Sequence, residues 1–320
     1  MHVLVVGGLG YIGRHVVHSL LKEGYEVTTL DRKFPTANLF KKEKFLYGDV
    51  TSNLHCLAGD LEGVEVIIHL AAMIDAPQSV RLPLDYYRVN FTGTLNVLEL
   101  ARLLKVRGFI FASSAAVYGS DSPSPHREDT AIMNPENPYG GSKLFGERLV
   151  KDACGDKIGN ICFRFFNVVG SSPAVKAVPS LTSGLFCKVI TSIISGEAMS
   201  VYGKDHPTKD GFAVRDFINV QDIASAVVRG VNHLQNKFIS ATFNLGTGKG
   251  FSVGEVLDAS DHVKYKSVVK YFVVPRRVGE VSHSVASVDK ICKDWGWYPR
   301  YSDSIVNSLK EEFDARIVQQ

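Results

Sequence analysis

The sequence has little of what marks the specialised classes of protein. Cysteines number five, at 56, 154, 162, 187 and 292, an odd count with no CxxC spacing. That argues against a disulfide framework or a thiolate zinc site and fits a reducing cytosol, so the expected location is cytoplasmic. Ten histidines are scattered without HExxH or other ligand spacing, so no metal is expected. No apolar run approaches the roughly 20 residues of a membrane span. The apolar stretch at Leu4, Val5 and Val6 is cut by glycine before it reaches the length of a signal-peptide core. A formal charge of only +3 over 320 residues points away from nucleic acid and membrane as partners, while leaving room for a local phosphate site. Internal repeats and low-complexity segments are absent. The sequon at Asn90-Phe91-Thr92 means nothing in a cytosolic protein.

What is present is an ordinary globular composition, 45% hydrophobic and 22% charged, long enough for one and a half or two domains. Short apolar runs at Val3–Val6, Glu26–Leu30, Lys44–Tyr47, Val66–Leu70, Phe109–Ala112 and Ile161–Phe166 read as strands. Helical spacing covers Tyr11–Leu21, Leu84–Lys105 and Pro138–Asp152. Alternation of this kind predicts a doubly wound parallel sheet covered on both faces. The pattern changes after residue 169. A helix is expected at about 181–195, then a polar loop at 203–211, a strand at Phe217–Val220, a helix from Gln221 and a strand at Thr242–Leu245. The reading is an α/β protein with a Rossmann-type domain over 1–169, a returning strand-helix-strand at about 216–247, and a smaller α/β substrate lobe in the rest of 170–320.

Gly7, Gly10 and Gly13 stand three apart between the first strand and the first helix, with Tyr11 and Ile12 between the last two. Glycine allows the tight turn and lets backbone N–H groups approach a pyrophosphate at a helix N-terminus. Asp31 ends the second strand about 20 residues on, where a carboxylate accepts from adenosine ribose hydroxyls and repels a 2′-phosphate. NAD is therefore expected over NADP, although Arg32 and Lys33 adjoin. Asp49, with Val50 beside it, either accepts from the adenine amine or is a plain turn residue.

Tyr139 and Lys143 stand at i and i+4 at the start of a predicted helix and share one face. A tyrosine ionises near pH 10. A lysine ammonium about 5 Å away would stabilise the phenolate by roughly 3 kcal/mol at an effective dielectric near 20, about 2 pK units. The pair can thus serve as a general base. Ser113 and Ser114 follow the fifth strand at the ligand edge of such a sheet, where a hydroxyl either binds a reacting oxygen or caps the next turn.

In this order and spacing the segments resemble the extended short-chain dehydrogenase/reductase family, over nearly the whole chain. His69-Leu70-Ala71-Ala72 and Asn90-Phe91-Thr92-Gly93-Thr94 are similar to its segments beside the cofactor. Ser114 to Gly119, Arg164 to Gly170 and above all Thr208 to Val220 resemble the UDP-galactose 4-epimerase branch. The resemblance implies NAD as cofactor, contacted also by Leu70, Ala71, Ala72, Asn90 and Lys143, and a UDP-sugar as substrate. It implies that Tyr139 takes the proton of the sugar 4-hydroxyl, Ser114 polarises that oxygen, and Lys143 binds the nicotinamide ribose. Asn167, Arg215 and Arg277 would grip the diphosphate, Glu280 the ribose hydroxyls, and Tyr202 the uracil. It further implies a homodimer through helices near 84–105 and 138–152.

Departures from the pattern refine this. Val6 replaces a threonine, Gly141 a helix former, Ala116 a threonine and Glu280 an aspartate, and the usual asparagine pair is not evident around Ser180–Gly184. Family dehydratases and decarboxylases carry an acid just after the active Ser/Thr. Here Ala115 and Ala116 stand there, which favours 4-epimerisation over elimination. Ser284, small where some relatives carry tyrosine, implies room for N-acetylated UDP-hexoses. Related nucleotide-sugar enzymes, such as a UDP-glucuronate epimerase, are alternatives. A non-catalytic NAD-binding regulator is less consistent with Ser114, Tyr139 and Lys143 all being present, and a dehydrogenase of simple alcohols has no use for a diphosphate grip. His206 is expected to be solvated, and Trp295, Trp297 and Tyr298 to pack in a core.

Overall fold

The computed structural model describes residues 1–35, 40–129, 132–175, 184–263, 268–277 and 279–317. In chain order the elements are β1 (His2–Val6), α1 (Tyr11–Lys22), β2 (Glu26–Asp31), β3 (Glu43–Tyr47), β4 (Val64–His69), α2 (Ala76–Arg81), α3 (Pro83–Tyr86), α4 (Gly93–Leu103), β5 (Gly108–Ser114), α5 (Pro138–Cys154) and β6 (Gly159–Phe165). There follow β7 (Asn167–Val169), α6 (Leu185–Ser195), β8 (Met199–Tyr202), β9 (Val214–Asn219), α7 (Val220–Asn236), β10 (Ser240–Leu245), β11 (Gly250–Ser252), α8 (Val253–Ser260), β12 (Tyr271–Val274), β13 (His283–Ser284), α9 (Asp289–Trp295) and α10 (Ile305–Ile317).

The chain forms two compact units. The first comprises Met1–Val117, Asn137–Arg164 and Ala224–Phe243, and the second Tyr118–Glu136, Phe165–Ile223 and Asn244–Gln320. These bounds differ from the sequence reading. The returning segment is shorter than 216–247, and 118–136 goes with the second unit. The reason is hydrogen bonding that no local pattern reveals. His126 N donates to Val285 O (2.8 Å), Ser287 N to His126 O (2.8 Å), and the Tyr118 hydroxyl to Asn244 Oδ1 (2.6 Å).

A seven-stranded sheet in the order β10-β6-β5-β4-β1-β2-β3 organises the first unit. Pairs β1–β2, β1–β4, β2–β3 and β4–β5 are parallel. Every residue of β1 and β5 is buried, as expected when helices cover both faces. The α1 helix buries Gly13, Val16, Val17 and Leu20, an i, i+3, i+4, i+7 stripe. The stretch read as one helix over 84–105 is instead broken: α3, a π-helical turn at Tyr87–Thr92, then α4. Such turns mark places where a side chain must be re-aimed, here Asn90.

In the second unit β9 is central, pairing antiparallel with β11 and parallel with β13 and β7. β12 pairs parallel with β8. Its core joins Phe186, Val189, Ile190, Phe217, Val256, Leu309 and Phe313. Trp295 and Trp297 are buried as expected, whereas Tyr298 is 61% exposed and does not join them.

Glu312, on α10, is buried and accepts from Gly170 N at 2.8 Å. Burial pushes its carboxyl up to about 7 from 4.5, partly offset by that N–H. The unfolded chain releases this proton near pH 4.5 and the folded chain near 7, so stability falls as pH rises through that window and is flat above it. The full loss is up to about 3 kcal/mol. Glu312→Gln keeps an acceptor for Gly170, so the variant is expected to lose this fall. Urea unfolding at pH 5 and pH 8 checks it; equal pH dependence in both proteins refutes it.

Candidate active site

The glycine turn is shaped by close approach. At Gly7, with φ +85°, a Cβ would lie 2.6 Å from Ala71 N. At Gly13 a Cβ would lie 2.2 Å from Gly7 O. Gly10 is the N-cap of α1, with no side chain capping it and no acidic residue in the first turn. The result is a backbone-lined helix N-terminus, which suits a pyrophosphate. Gly13→Ala is expected to abolish NAD binding and to lower stability by at least about 2 kcal/mol through overpacking. Fluorescence titration with NADH and a melting curve check both; wild-type affinity refutes it.

Asp31 closes the turn from below, accepting from Leu9 N and Lys33 N, each at 3.1 Å. Asp49 accepts from Thr51 N and Oγ1 at 2.9 and 2.8 Å and lies 3.9 Å from Arg32. Its turn role is therefore real, whatever else it contacts. The Val50 side chain is core, packed where a Cβ on Gly93 would meet it at 2.7 Å, so any cofactor contact at this position falls to its backbone. Leu70 and Ala71 donate their N–H groups to Val6 O at 2.9 and 3.1 Å, which seats them, and Ala72 after them, beside Gly7.

Asn90 is buried, and its side chain is engaged within the protein. Its Oδ1 accepts from Met73 N (2.8 Å), and its Nδ2 donates to Met73 O (3.0 Å) and Ser142 Oγ (2.9 Å). Ser142 in turn donates to Tyr139 O at 2.7 Å. Ser142, missed in the sequence, thus ties the π-turn to the first turn of α5, which Asn137 caps and Pro138 opens. Gly141 has the same explanation: a Cβ there would meet Tyr87 Oη at 3.0 Å.

On α5, Lys143 is buried, and Tyr139, one turn before it on the same face, is half-buried. The Tyr139 ring meets Tyr86 edge-on (6.4 Å, 81°), and its phenol hydrogen-bonds Ser114. Ser114 Oγ also accepts from Ala116 N at 3.2 Å, so it caps the turn and touches the tyrosine at once. Lys143 Nζ donates to Ala112 O at 2.7 Å and lies 5.1 Å from the Phe111 ring. Burial raises the Tyr139 phenol, with Ser114 offsetting part, and burial lowers Lys143 to about 7 with Glu147 opposing. Desolvation thus opposes charge on both groups, and added positive charge near the phenol would favour its ionised form.

The second unit gathers the other set. Arg215 Nη2 lies 3.6 Å from Glu280 Oε1, and Glu280 Oε2 is buried with no hydrogen-bond partner among the described residues. The Arg277 guanidinium stacks 3.8 Å above the Tyr202 ring, with Lys188 Nζ at 5.2 Å. Burial lowers the Arg215 pKa, Glu280 opposes that, and Arg277 adds to it. Ser284 is the register partner of Arg215 in the β13–β9 pair, and Asn167 is exposed on β7. Residues 180–183 and Val278 lie outside the described residues. His206 is buried rather than solvated, with Nδ1 2.9 Å from Ser282 Oγ. Asp216, also missed, is fully buried and accepts from Thr247 N and Oγ1, Gly248 N and Ala286 N at 2.7–3.2 Å. It pins the strand carrying Arg215 to the one carrying Ser284; its signal was the Arg215-Asp216 motif itself.

Residues 3–246 match the model of the NAD dependent epimerase/dehydratase family. The chain belongs to that family. NAD is accordingly its cofactor. The family member from Lactobacillus helveticus, a UDP-glucose 4-epimerase, is 36% identical over 313 residues, 95% of this chain and 93% of the relative. The structure of UDP-glucose 4-epimerase from Bifidobacterium longum with NAD+ and UDP superposes with a TM-score of 0.92 at 30% identity, covering 99% of this chain and 98% of that one. The UDP-Glc/GlcNAc 4-epimerase of Campylobacter jejuni gives 0.81 at 31% identity, covering 99% of each. Among the described residues no helix is long and apolar enough to cross a membrane, and no cluster fit for a metal is found.

Proposed function

We propose that the chain is an NAD-dependent UDP-hexose 4-epimerase interconverting UDP-glucose and UDP-galactose. The observation that carries this reading is the hydrogen-bonded Tyr139–Ser114 pair beside Lys143, followed by a 3-10 turn of Ala115–Val117 with no carboxylate. That set can move one proton at one hydroxyl, and it offers no second acid to drive elimination at a neighbouring carbon.

The cofactor, when bound, supplies reversible acceptance of the C4 hydride. Tyr139 removes the 4-hydroxyl proton and later returns one, while Ser114 holds that oxygen throughout. Arg215 and Arg277 hold the diphosphate with Asn167, since guanidinium forks match phosphate oxygens. Glu280 Oε2, an acceptor lacking a donor among the described residues, takes a ribose hydroxyl; a buried acceptor left bare costs about 1–3 kcal/mol. Tyr202 gives the uracil an aromatic wall. Anchoring the diphosphate while leaving the 4-keto sugar free to turn lets hydride return to the opposite face. On the first unit, Leu84, Leu95, Leu103 and Phe145 are exposed, which supports a homodimer through the α3–α4 and α5 helices; a monomer by light scattering refutes it. The free cysteines support a cytoplasmic location, which cell fractionation tests.

Incubation with UDP-galactose, UDP-GalNAc and UDP-glucuronate, scored by product, tests the substrate. UDP-galactose is expected to yield UDP-glucose, and Ser284 predicts that UDP-GalNAc is also converted. Turnover of the glucuronate alone overturns the hexose assignment, and inert UDP-GalNAc overturns the role of Ser284.

A further inference from the structure

Tyr139, Lys143 and Glu147 follow one another at i, i+4 and i+8 along one face of α5. The first two belong to the reaction just described, and the third has no part in it. Yet Glu147 is held by side chains from two strands, Ser113 of β5 and Arg164 of β6. Arg164, from β6, pairs with it in a two-pronged contact, Nε to Oε1 at 2.9 Å and Nη2 to Oε2 at 2.7 Å, with side-chain exposures of 4% and 10%. Ser113, adjacent to Ser114 at the end of β5, donates its hydroxyl to the same carboxylate. A buried ion pair of this kind adds little net stability over an apolar pair of equal size, so stability alone does not explain it.

We propose that Glu147 is a positioning residue for the reaction: locked by Arg164, it fixes Ser113 and hence the strand end bearing Ser114, and supplies the negative charge that keeps Lys143 an ammonium. This rests on the reading of Tyr139 as the base. The groups facing Lys143 leave it few other supports. Tyr139 precedes it on α5, and Tyr86 lies behind that ring. His69 faces it from β4 and is held neutral by burial, its pKa near 3. β5 offers only the Phe111 ring and the Ala112 carbonyl. Cys162, on β6, is pushed well up by burial, and so stays a neutral thiol. Glu147 is the group that opposes the effect of burial on Lys143.

The test follows the Lys143 side chain directly. In the NAD-loaded full chain, the 13Cε signal of Lys143 is assigned by its loss in Lys143→Met, then titrated. In Glu147→Gln the midpoint is expected about one pH unit lower, with the alkaline limb of kcat moving by the same amount and KM for UDP-galactose unchanged. A purely structural Glu147 would lower the melting temperature and leave the midpoint in place, and that result overturns the proposal. Where Glu147→Gln fails to fold, Glu147→Gln with Arg164→Met keeps an acceptor for Ser113 and leaves no unpaired buried cation. Its midpoint is also expected to fall, and an unmoved midpoint again overturns the proposal. The titration needs no turnover, so an inert wild-type chain would overturn the proposed function while the midpoints still decide the role of Glu147.

Discussion

Tyr139→Phe is expected to bind NAD as well as the wild type does and to convert UDP-galactose at least 10³-fold more slowly. The substitution removes one oxygen and leaves the ring against Tyr86, so packing is preserved and the fold loses about one hydrogen bond, roughly 1 kcal/mol. Positioned proton transfer contributes typically 10²- to 10⁴-fold. The upper part of that range applies because neither Lys143 nor Ser114, the described polar groups beside Tyr139, can substitute. Lys143 is turned to Ala112 O, and Ser114 is a hydroxyl that can relay a proton but not hold it away. The pH dependence should show that Lys143 alone does not ionise the phenol: burial raises the tyrosine and lowers the lysine. Addition of NAD+, with its cationic ring, should therefore move the Tyr139 absorbance titration to lower pH. Conversion by the phenylalanine variant within tenfold of wild type would remove Tyr139 from the chemistry.

Arg215→Met should be the most damaging change to substrate binding, raising Kd for UDP by 100-fold or more. Two effects combine. A cation is lost from the diphosphate, and Glu280 is left mostly buried without its partner, since only 18% of either side chain is exposed. Truncating one member of such a pair costs about 2–5 kcal/mol in binding, much of it from the charge left behind. Arg215→Met with Glu280→Gln should recover stability but not UDP affinity, which separates the two contributions. Arg215→Lys keeps the charge but loses the planar fork, and should fall between. Calorimetric titration with UDP reads all three, and an affinity for UDP unchanged in Arg215→Met would remove the diphosphate site from this part of the second unit.

The local signals were legible where the chemistry is local. The glycine turn, Asp31 at a strand end and the i, i+4 pair Tyr139/Lys143 are all written in short-range spacing, and each lies where its pattern indicates. Val50 and Asn90 find partners that short-range spacing does not reveal: Gly93 gives Val50 its packing and Met73 gives Asn90 its hydrogen bonds, and only the folded chain brings them near. His206 was read as solvated because its loop is polar. Ser282, 76 residues away, gives it a buried partner.

By itself the sequence determined the alternation of strand and helix, the glycine turn and the placing of Tyr139 and Lys143 on one helix face, since these follow from backbone sterics and residue chemistry over a few positions. Tertiary structure decided which groups share a dielectric environment. Burial shifts the ionisation of Tyr139, Lys143 and Glu312, and contacts across dozens of residues join Arg215 to Glu280, Arg277 to Tyr202 and Glu147 to Arg164. Desolvation and long-range pairing depend on where distant segments meet, which no local spacing encodes.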